Sequence, residues 1–163
     1  MTILAYWAAE YFPAAAPRRF LYPLGSGTLG YAWPAALGAS TALPETPVLA
    51  VVGDGGFLYG VQELAAASQY GLAAKLLLVD DGGYGILRAH QREAYGATHA
   101  VDLVEPDFPA LCAAFGVPVR TSSPDRLGPD LEWALAVEGP AAVVLPVVLE
   151  MFDSDVDERK EKA

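Results

Sequence analysis

Two short aliphatic runs, each ending in a glycine–aspartate loop, constrain this chain more than any other feature. Val48-Leu49-Ala50-Val51-Val52 leads into Gly53-Asp54-Gly55-Gly56, and Lys75-Leu76-Leu77-Leu78-Val79 leads into Asp80-Asp81-Gly82-Gly83. A strand with one wet face alternates apolar and polar residues, whereas an unbroken β-branched and aliphatic run is expected of a strand buried on both faces of a parallel sheet. Residues 58–70, between the runs, read as a helix, so the unit is strand, loop, helix, strand. It recurs downstream, with helices expected over about 84–93, 108–115 and 125–137 and strands over 117–120 and 141–145. Upstream, residues 5–12 have helical spacing and are stopped by Pro13 and Pro17. Residues 18–22 then read as a short strand, and a small-residue helix is expected over about 31–41. The stretch 95–106 is irregular. Strands alternating with helices across glycine loops predict a doubly wound α/β fold, a mostly parallel sheet with helices on both faces. In such a sheet, ligands bind at the carboxyl ends of the strands.

A chain of 163 residues suffices for one domain with a real core. Residues 1–152 are assigned to it, and the charged tail 153–163 is expected to be disordered. Hydrophobic residues make up 53% and charged ones 18%, at a mean hydropathy of +0.29, which excludes a disordered chain. That apolar surplus implies a surface partly covered by another domain or subunit. The net charge of −10 argues against a nucleic-acid partner. One cysteine, Cys112, excludes a disulfide framework and a thiolate metal cluster, and is most simply a small buried hydrophobe. No apolar run reaches the roughly 18 residues of a membrane span. Met1-Thr2-Ile3-Leu4 lacks the basic region of a signal peptide, so the cytoplasm is the expected compartment.

The first glycine loop, Gly25-Ser26-Gly27-Thr28-Leu29-Gly30, fits G-x-G-x-x-G and by itself suggests a dinucleotide. The rest of that fingerprint is missing. The strand expected before it is short and runs into Pro23, and Glu45, the nearest acidic residue downstream, lies in a proline-rich turn. The other two loops belong together. Asp54 and Asp81 each follow a strand and lie twenty-seven residues apart, one helix-plus-strand unit, which carries both to the same sheet edge. Hard divalent cations such as Mg2+ take oxygen ligands, commonly one or two carboxylates together with phosphate oxygens. The flanking glycines leave backbone N–H groups open and a helix follows each loop, an arrangement that receives anions. Two carboxylates, a cation and two helix starts describe a site for a metal-bound diphosphate.

Gly53-Asp54-Gly55 followed by Asp80-Asp81-Gly82-Gly83-Tyr84-Gly85 resembles the thiamine diphosphate motif, G-D-G and then N-N. Gly27-Thr28-Leu29-Gly30-Tyr31-Ala32-Trp33-Pro34-Ala35-Ala36-Leu37-Gly38-Ala39 is similar to G-T-M-G-F-G-L-P-A-A-I-G-A of the acetolactate synthase and benzoylformate decarboxylase superfamily. Val61-Gln62-Glu63-Leu64 and Gln69-Tyr70 follow its pattern too, so the resemblance spans about residues 6–149. It implies the thiamine diphosphate-binding fold and a cofactor-binding C-terminal domain of a 2-oxo acid decarboxylase or carboligase. Asp54, the Asp81 side chain and the Gly83 carbonyl would hold Mg2+. Gly55, Gly56, Tyr84 and Gly85 would offer backbone donors to the diphosphate. Leu29 would wedge beneath the cofactor, with Gly27 and Thr28 beside it and the Gly27 carbonyl on its aminopyrimidine. Ile86 and Leu87 would border the substrate.

The resemblance further implies a partner, the pyrimidine-binding domain or subunit that carries the family's activating glutamate, and a homo-oligomer. Without that partner this chain should not turn over. Two alternatives stand beside the reading: the β chain of a two-subunit decarboxylase of the sulfopyruvate type, and a metal-binding or dimerisation domain without catalysis. The second arises because Asp80-Asp81 replaces the family's paired asparagines and sets an extra negative charge near the diphosphate. Among other titratable groups, His90 follows Ile86–Leu87 on an expected helix and is weighed against facing the substrate space, the plainer reading being a helix-surface histidine. His99 reads as a loop residue. Glu63 is expected in mid-helix and is not taken as the missing glutamate. Trp7, Tyr11 and Phe12 form an aromatic packing face.

Overall fold

The computed structural model of the chain describes residues 2–23, 25–104 and 106–151; the expected tail from residue 153 lies outside the described residues. Four parallel strands, β1 (Val48–Gly53), β2 (Ala74–Asp80), β3 (Val119–Thr121) and β4 (Ala141–Pro146), form one sheet in the order β1-β2-β4-β3. Between and before them run α1 (Ile3–Tyr11), α2 (Ala32–Ala42), α3 (Asp54–Phe57), α4 (Glu63–Tyr70), α5 (Gly85–Tyr95), α6 (Phe108–Ala114) and α7 (Leu127–Ala136). This is the α/β parallel architecture that the sequence predicts.

Strand alternation divides the core into two layers. Ala74, Leu76 and Leu78 of β2, with Ala142 and Val144 of β4, face α2, α4 and α6. There Trp33, Ala36, Leu37 and Ser40 of α2 are buried, a spacing of three and four residues that puts one helical stripe on the sheet. Leu77 and Val79, with Ala141, Val143 and Leu145, face the other way, against Leu4 of α1 and Leu127, Leu131 and Ala134 of α7. Only the first face of β1 is covered. Ala50 and Val52 are buried, but Leu49 and Val51 are 43% and 38% exposed. The expectation that both aliphatic runs are buried on both faces therefore holds for β2 and fails for β1, because β1 lies at the sheet edge and α1 and α7 cover β2 and β4 instead.

Two further expectations give way. Residues 18–22 form no strand: Arg18 adopts φ +62°, in the left-handed region that an extended strand does not visit. The helix expected over 58–70 begins five residues late, and the loop expected over 53–56 is partly helical. Helical backbone begins at Asp54 itself, a turn closes from the Gly60 amide to the Phe57 carbonyl (2.9 Å), and α4 starts only at Glu63. Glu63 thus opens a helix and does not sit in its middle.

Two ionisable groups are buried in the frame away from the strand tips that carry Asp54 and Asp81. Lys75, the one charge in its aliphatic run, is 4% exposed and donates from Nζ to the carbonyls of Val137 (2.6 Å) and Gly139, closing the C-terminal end of α7. Burial lowers its ammonium below the usual lysine range. Asp130 in α7 is 1% exposed and accepts from Ser122 Oγ at 2.9 Å and Arg120 at 3.2 Å, with Arg126 Nε at 3.7 Å. Its carboxyl is held below the ordinary aspartate range, first by the Ser122 hydroxyl and then by the two arginines. Arg120 also lies over the Trp133 ring, 4.3 Å from its centroid.

Candidate functional site

Register brings the two glycine–aspartate loops together. Gly53 of β1 pairs with Val79 of β2 in parallel, so the next residues, Asp54 and Asp80, leave the same edge side by side and Asp81 lies one step beyond. Asp54 is the first residue of α3, is 3% exposed, and lines a cleft of about 190 Å³ with Asp81. One oxygen of Asp54, Oδ2, is buried and has no hydrogen-bond partner among the described residues, and the same holds for Oδ1 of Asp80. Burial first, then the charges of Asp81 and Asp80, push the Asp54 carboxyl up from 3.8 to about 6, while the amides of Gly55 and Gly83 pull it back. A buried carboxylate pressed by two like charges and missing a partner has the electrostatics of a cation site.

The second loop is fixed by glycine and by the 95–106 excursion. Gly83 has φ +152°, and a Cβ there would collide with the Val101 carbonyl, so no other residue fits. The Tyr84 amide donates to Val101 (2.8 Å) and the Leu103 amide to Gly82 (3.0 Å), making a short antiparallel bridge between Gly83 and Asp102. The Tyr84 ring lies so close to Gly55 that a Cβ on Gly55 would sit 2.7 Å from it, and its hydroxyl, hydrogen-bonded to Tyr59, titrates above the usual range. A Cβ on Gly85 would strike the Asp81 carboxylate. Arg88, in the first turn of α5, reaches back to the loop and donates to the carbonyls of Asp81 (3.3 Å) and Gly82 (3.2 Å).

Leu29, Asp54, Gly55, Gly56, Asp81, Gly83, Tyr84, Gly85, Ile86 and Leu87 all line the cleft, with Val79 and Leu149 beside them. Leu29 also lies against Gly56, where an added Cβ would be 3.7 Å from its Cδ2. Gly27 and Thr28 do not reach the cleft; they line a larger apolar groove of about 410 Å³ that adjoins it at Leu29, Gly53 and Gly56. The Tyr84 amide, expected as a diphosphate donor, is taken by Val101, which leaves the ring of Tyr84 as its contribution to the cleft. His90 is exposed and outside both cavities, and His99 is an exposed loop residue whose backbone bonds Gln91. Cys112 is buried and its thiol is pushed up to about 11 by burial. Trp7 and Tyr11 meet with their ring centroids 5.4 Å apart and their planes tilted by 44°, and Trp7 donates to the Glu150 carbonyl at 2.9 Å.

Sequence reasoning missed Arg88, Asp102 and the Tyr59–Tyr84 pair. For Arg88 a signal exists: a helix that starts at Gly85 turns its fourth residue back over the loop it leaves. For Asp102 there is none, because its place depends on how an irregular segment folds back.

The donor set suits a hard divalent cation, since the orphaned atoms are carboxylate oxygens. Among the described residues no three His, Cys, Asp or Glu side chains converge on one point. An ion here would thus depend on a backbone carbonyl and on oxygens of a ligand as well as on carboxylates.

The chain is similar to known proteins in sequence and in fold. Residues 2–145 match the family model of the thiamine pyrophosphate enzyme, C-terminal TPP binding domain. The chain is 37% identical over 129 residues to an acetolactate synthase large subunit of Lactococcus lactis, covering 77% of this chain and 22% of that protein. It is 38% identical over 137 residues to a probable acetolactate synthase large subunit of Methanocaldococcus jannaschii, covering 82% and 23%. The structure of a thiamine diphosphate-dependent 4-hydroxybenzoylformate decarboxylase from Rhodococcus jostii superposes with a TM-score of 0.69 at 30% identity, over 78% of this chain and 24% of that one. The chain spans about a quarter of the length of these relatives. It belongs to the thiamine pyrophosphate enzymes as a C-terminal TPP-binding domain of the acetolactate synthase-like kind.

Proposed function

We propose that this domain holds thiamine diphosphate through a Mg2+ ion bound by Asp54, Asp81 and the Gly83 carbonyl, and serves a decarboxylase or carboligase of 2-oxo acids. The observation that carries the reading is the buried Asp54 carboxylate, short of one partner, in the same cleft as Asp81. The amides of Gly56 and Gly85 would face the diphosphate at the starts of α3 and α5, where helix ends favour anions, while that of Gly55, expected beside them, is held by the Asp54 carboxylate. Leu29, between the cleft and the larger groove, would support the rings, with Gly27 and Thr28 on the groove side. When bound, the cofactor supplies an electron sink for the carbon that loses CO2. This chain's residues bind and orient it and keep water from its diphosphate.

Activation requires a second, pyrimidine-binding domain or subunit, and this domain alone gives no turnover. The assembly is a homo-oligomer, and its setting is the cytoplasm. Among the described residues no helix is long and apolar enough to cross a membrane. A second reading, cation binding without the diphosphate, is favoured by one observation, the Oδ1 of Asp80 that is buried with no hydrogen-bond partner among the described residues, where the resembled motif has asparagine. Calorimetric titration with thiamine diphosphate, with Mg2+ and with EDTA, decides between them. Saturable binding that needs Mg2+ is expected; Mg2+ uptake with no cofactor heat at millimolar concentration would leave only the second reading.

A further inference from the structure

We propose that Arg88 is a positioning residue for the cation loop, setting which carbonyl of the Asp81-Gly82-Gly83 turn is offered to the ion. The inference rests on the Mg2+–diphosphate reading above. Its guanidinium donates from one nitrogen to the Asp81 carbonyl (3.3 Å), from a second to the Gly82 carbonyl (3.2 Å), and from Nε to Asp102 Oδ1 (3.0 Å). A planar fork with donors at fixed angles suits this task, and a lysine ammonium, a single point charge, does not. Two of the turn's three carbonyls thereby accept from Arg88, which is the side-chain partner of that of Asp81 and shares that of Gly82 with the Leu103 amide (3.0 Å). Among the described residues no hydrogen bond falls on the third, that of Gly83, whose N–H faces the Asp54 carboxylate.

Arg88 does not line the cleft, so its action is indirect. Its side chain is 13% exposed, whereas Asp102 is 71% exposed, and an ion pair so open to water contributes little by itself. The function of Asp102 is to aim the fork. The same guanidinium brings a positive charge to a loop that carries two aspartates where the resembled motif has asparagines, which offsets part of the repulsion on an incoming diphosphate. Partners that orient metal ligands from behind typically change metal affinity 10- to 100-fold.

The test measures Mn2+ affinity, from the spectroscopic signal of free Mn2+ at fixed thiamine diphosphate, in the protein at its natural length. Arg88→Ala is expected to weaken Mn2+ binding about tenfold or more, with an unchanged unfolding temperature. Ethylguanidinium added to Arg88→Ala restores affinity, Arg88→Lys stays weak, and Asp102→Asn loses less than Arg88→Ala. Wild-type affinity in Arg88→Ala, or a loss that guanidinium does not rescue and that tracks a lower unfolding temperature, would overturn the inference alone. A wild-type protein that takes up no Mn2+ would overturn the proposed function and this inference with it.

Discussion

Asp130 and Asp54 are both buried carboxylates, and the fold treats them in opposite ways. Asp130 receives a hydroxyl and two guanidinium groups, and its carboxyl is held low. Asp54 has an oxygen with no partner among the described residues, two further aspartates beside it, and a carboxyl raised to about 6. Lys75 sides with Asp130, since two carbonyls take its protons. Buried polar groups in a finished protein are nearly always satisfied, so an exception needs an explanation. The contrast teaches where this domain is complete and where it awaits something: the frame around α7 satisfies its own charges, and the strand tips leave theirs to a ligand. Retaining that unsatisfied carboxylate costs stability in the free protein, as is common at functional sites.

The largest expected effect would break the contrast outright. Asp54→Ala should weaken Mg2+-dependent thiamine diphosphate binding at least about a hundredfold, since a cation loses its most buried anionic ligand. Calorimetry on the folded variant checks it, and unchanged affinity would remove the metal assignment. The next effect sharpens the contrast through pH. A carboxyl at about 6 in the folded chain and near 3.8 unfolded binds more protons when folded, so free-protein stability falls as pH rises from about 4 to about 6 and then levels. Allowing for solvent screening, that difference is about 1–2 kcal/mol. Asp54→Asn should flatten the profile and leave the variant more stable than wild type at pH 7 by denaturant unfolding. Saturating Mg2+ and cofactor should flatten it as well.

How much of this contrast the sequence carried depends on range. The spacing of Asp54 and Asp81 fixed their common edge, because the parallel register of β1 with β2 follows from a single helix-plus-strand unit. The β2 run was legible for the same reason: a central strand meets apolar neighbours on both faces whatever else the chain does. Leu49 and Val51 were not, since their run is composed like β2 and differs only in lying at the edge, a property of the whole sheet. The strand expected over 18–22 failed on one backbone angle, that of Arg18. Gly27 and Thr28 were identified by motif, but a motif records neighbours along the chain, and their turn faces the larger groove. The satisfied charges stayed hidden too. Lys75 finds its carbonyls sixty-two and sixty-four residues away, which no local pattern encodes.

The smallest expected effect tests the other half of the contrast. Asp130→Ala removes a carboxylate that three groups surround, and a buried pair broken from one side usually leaves an expensive orphan charge. Here the orphans would be Arg120 and Arg126, whose side chains are already 43% and 71% exposed. Both can turn to water, and Arg120 keeps the Trp133 face. What remains is an empty space at the α7 side of Ser122, whose hydroxyl keeps the Ser123 carbonyl as an acceptor at 3.3 Å. Thermal unfolding should therefore drop by only a few degrees, with Mg2+-dependent cofactor affinity unchanged, because α7 lies beneath β2 and β4 and outside the cleft. Asp130→Asn, which still accepts from Ser122, should recover most of the loss. If Asp130→Ala instead unfolded the domain or altered cofactor affinity as strongly as Asp54→Ala, the two carboxylates would not divide into a frame residue and a ligand residue, since one network would then run from α7 to the strand tips.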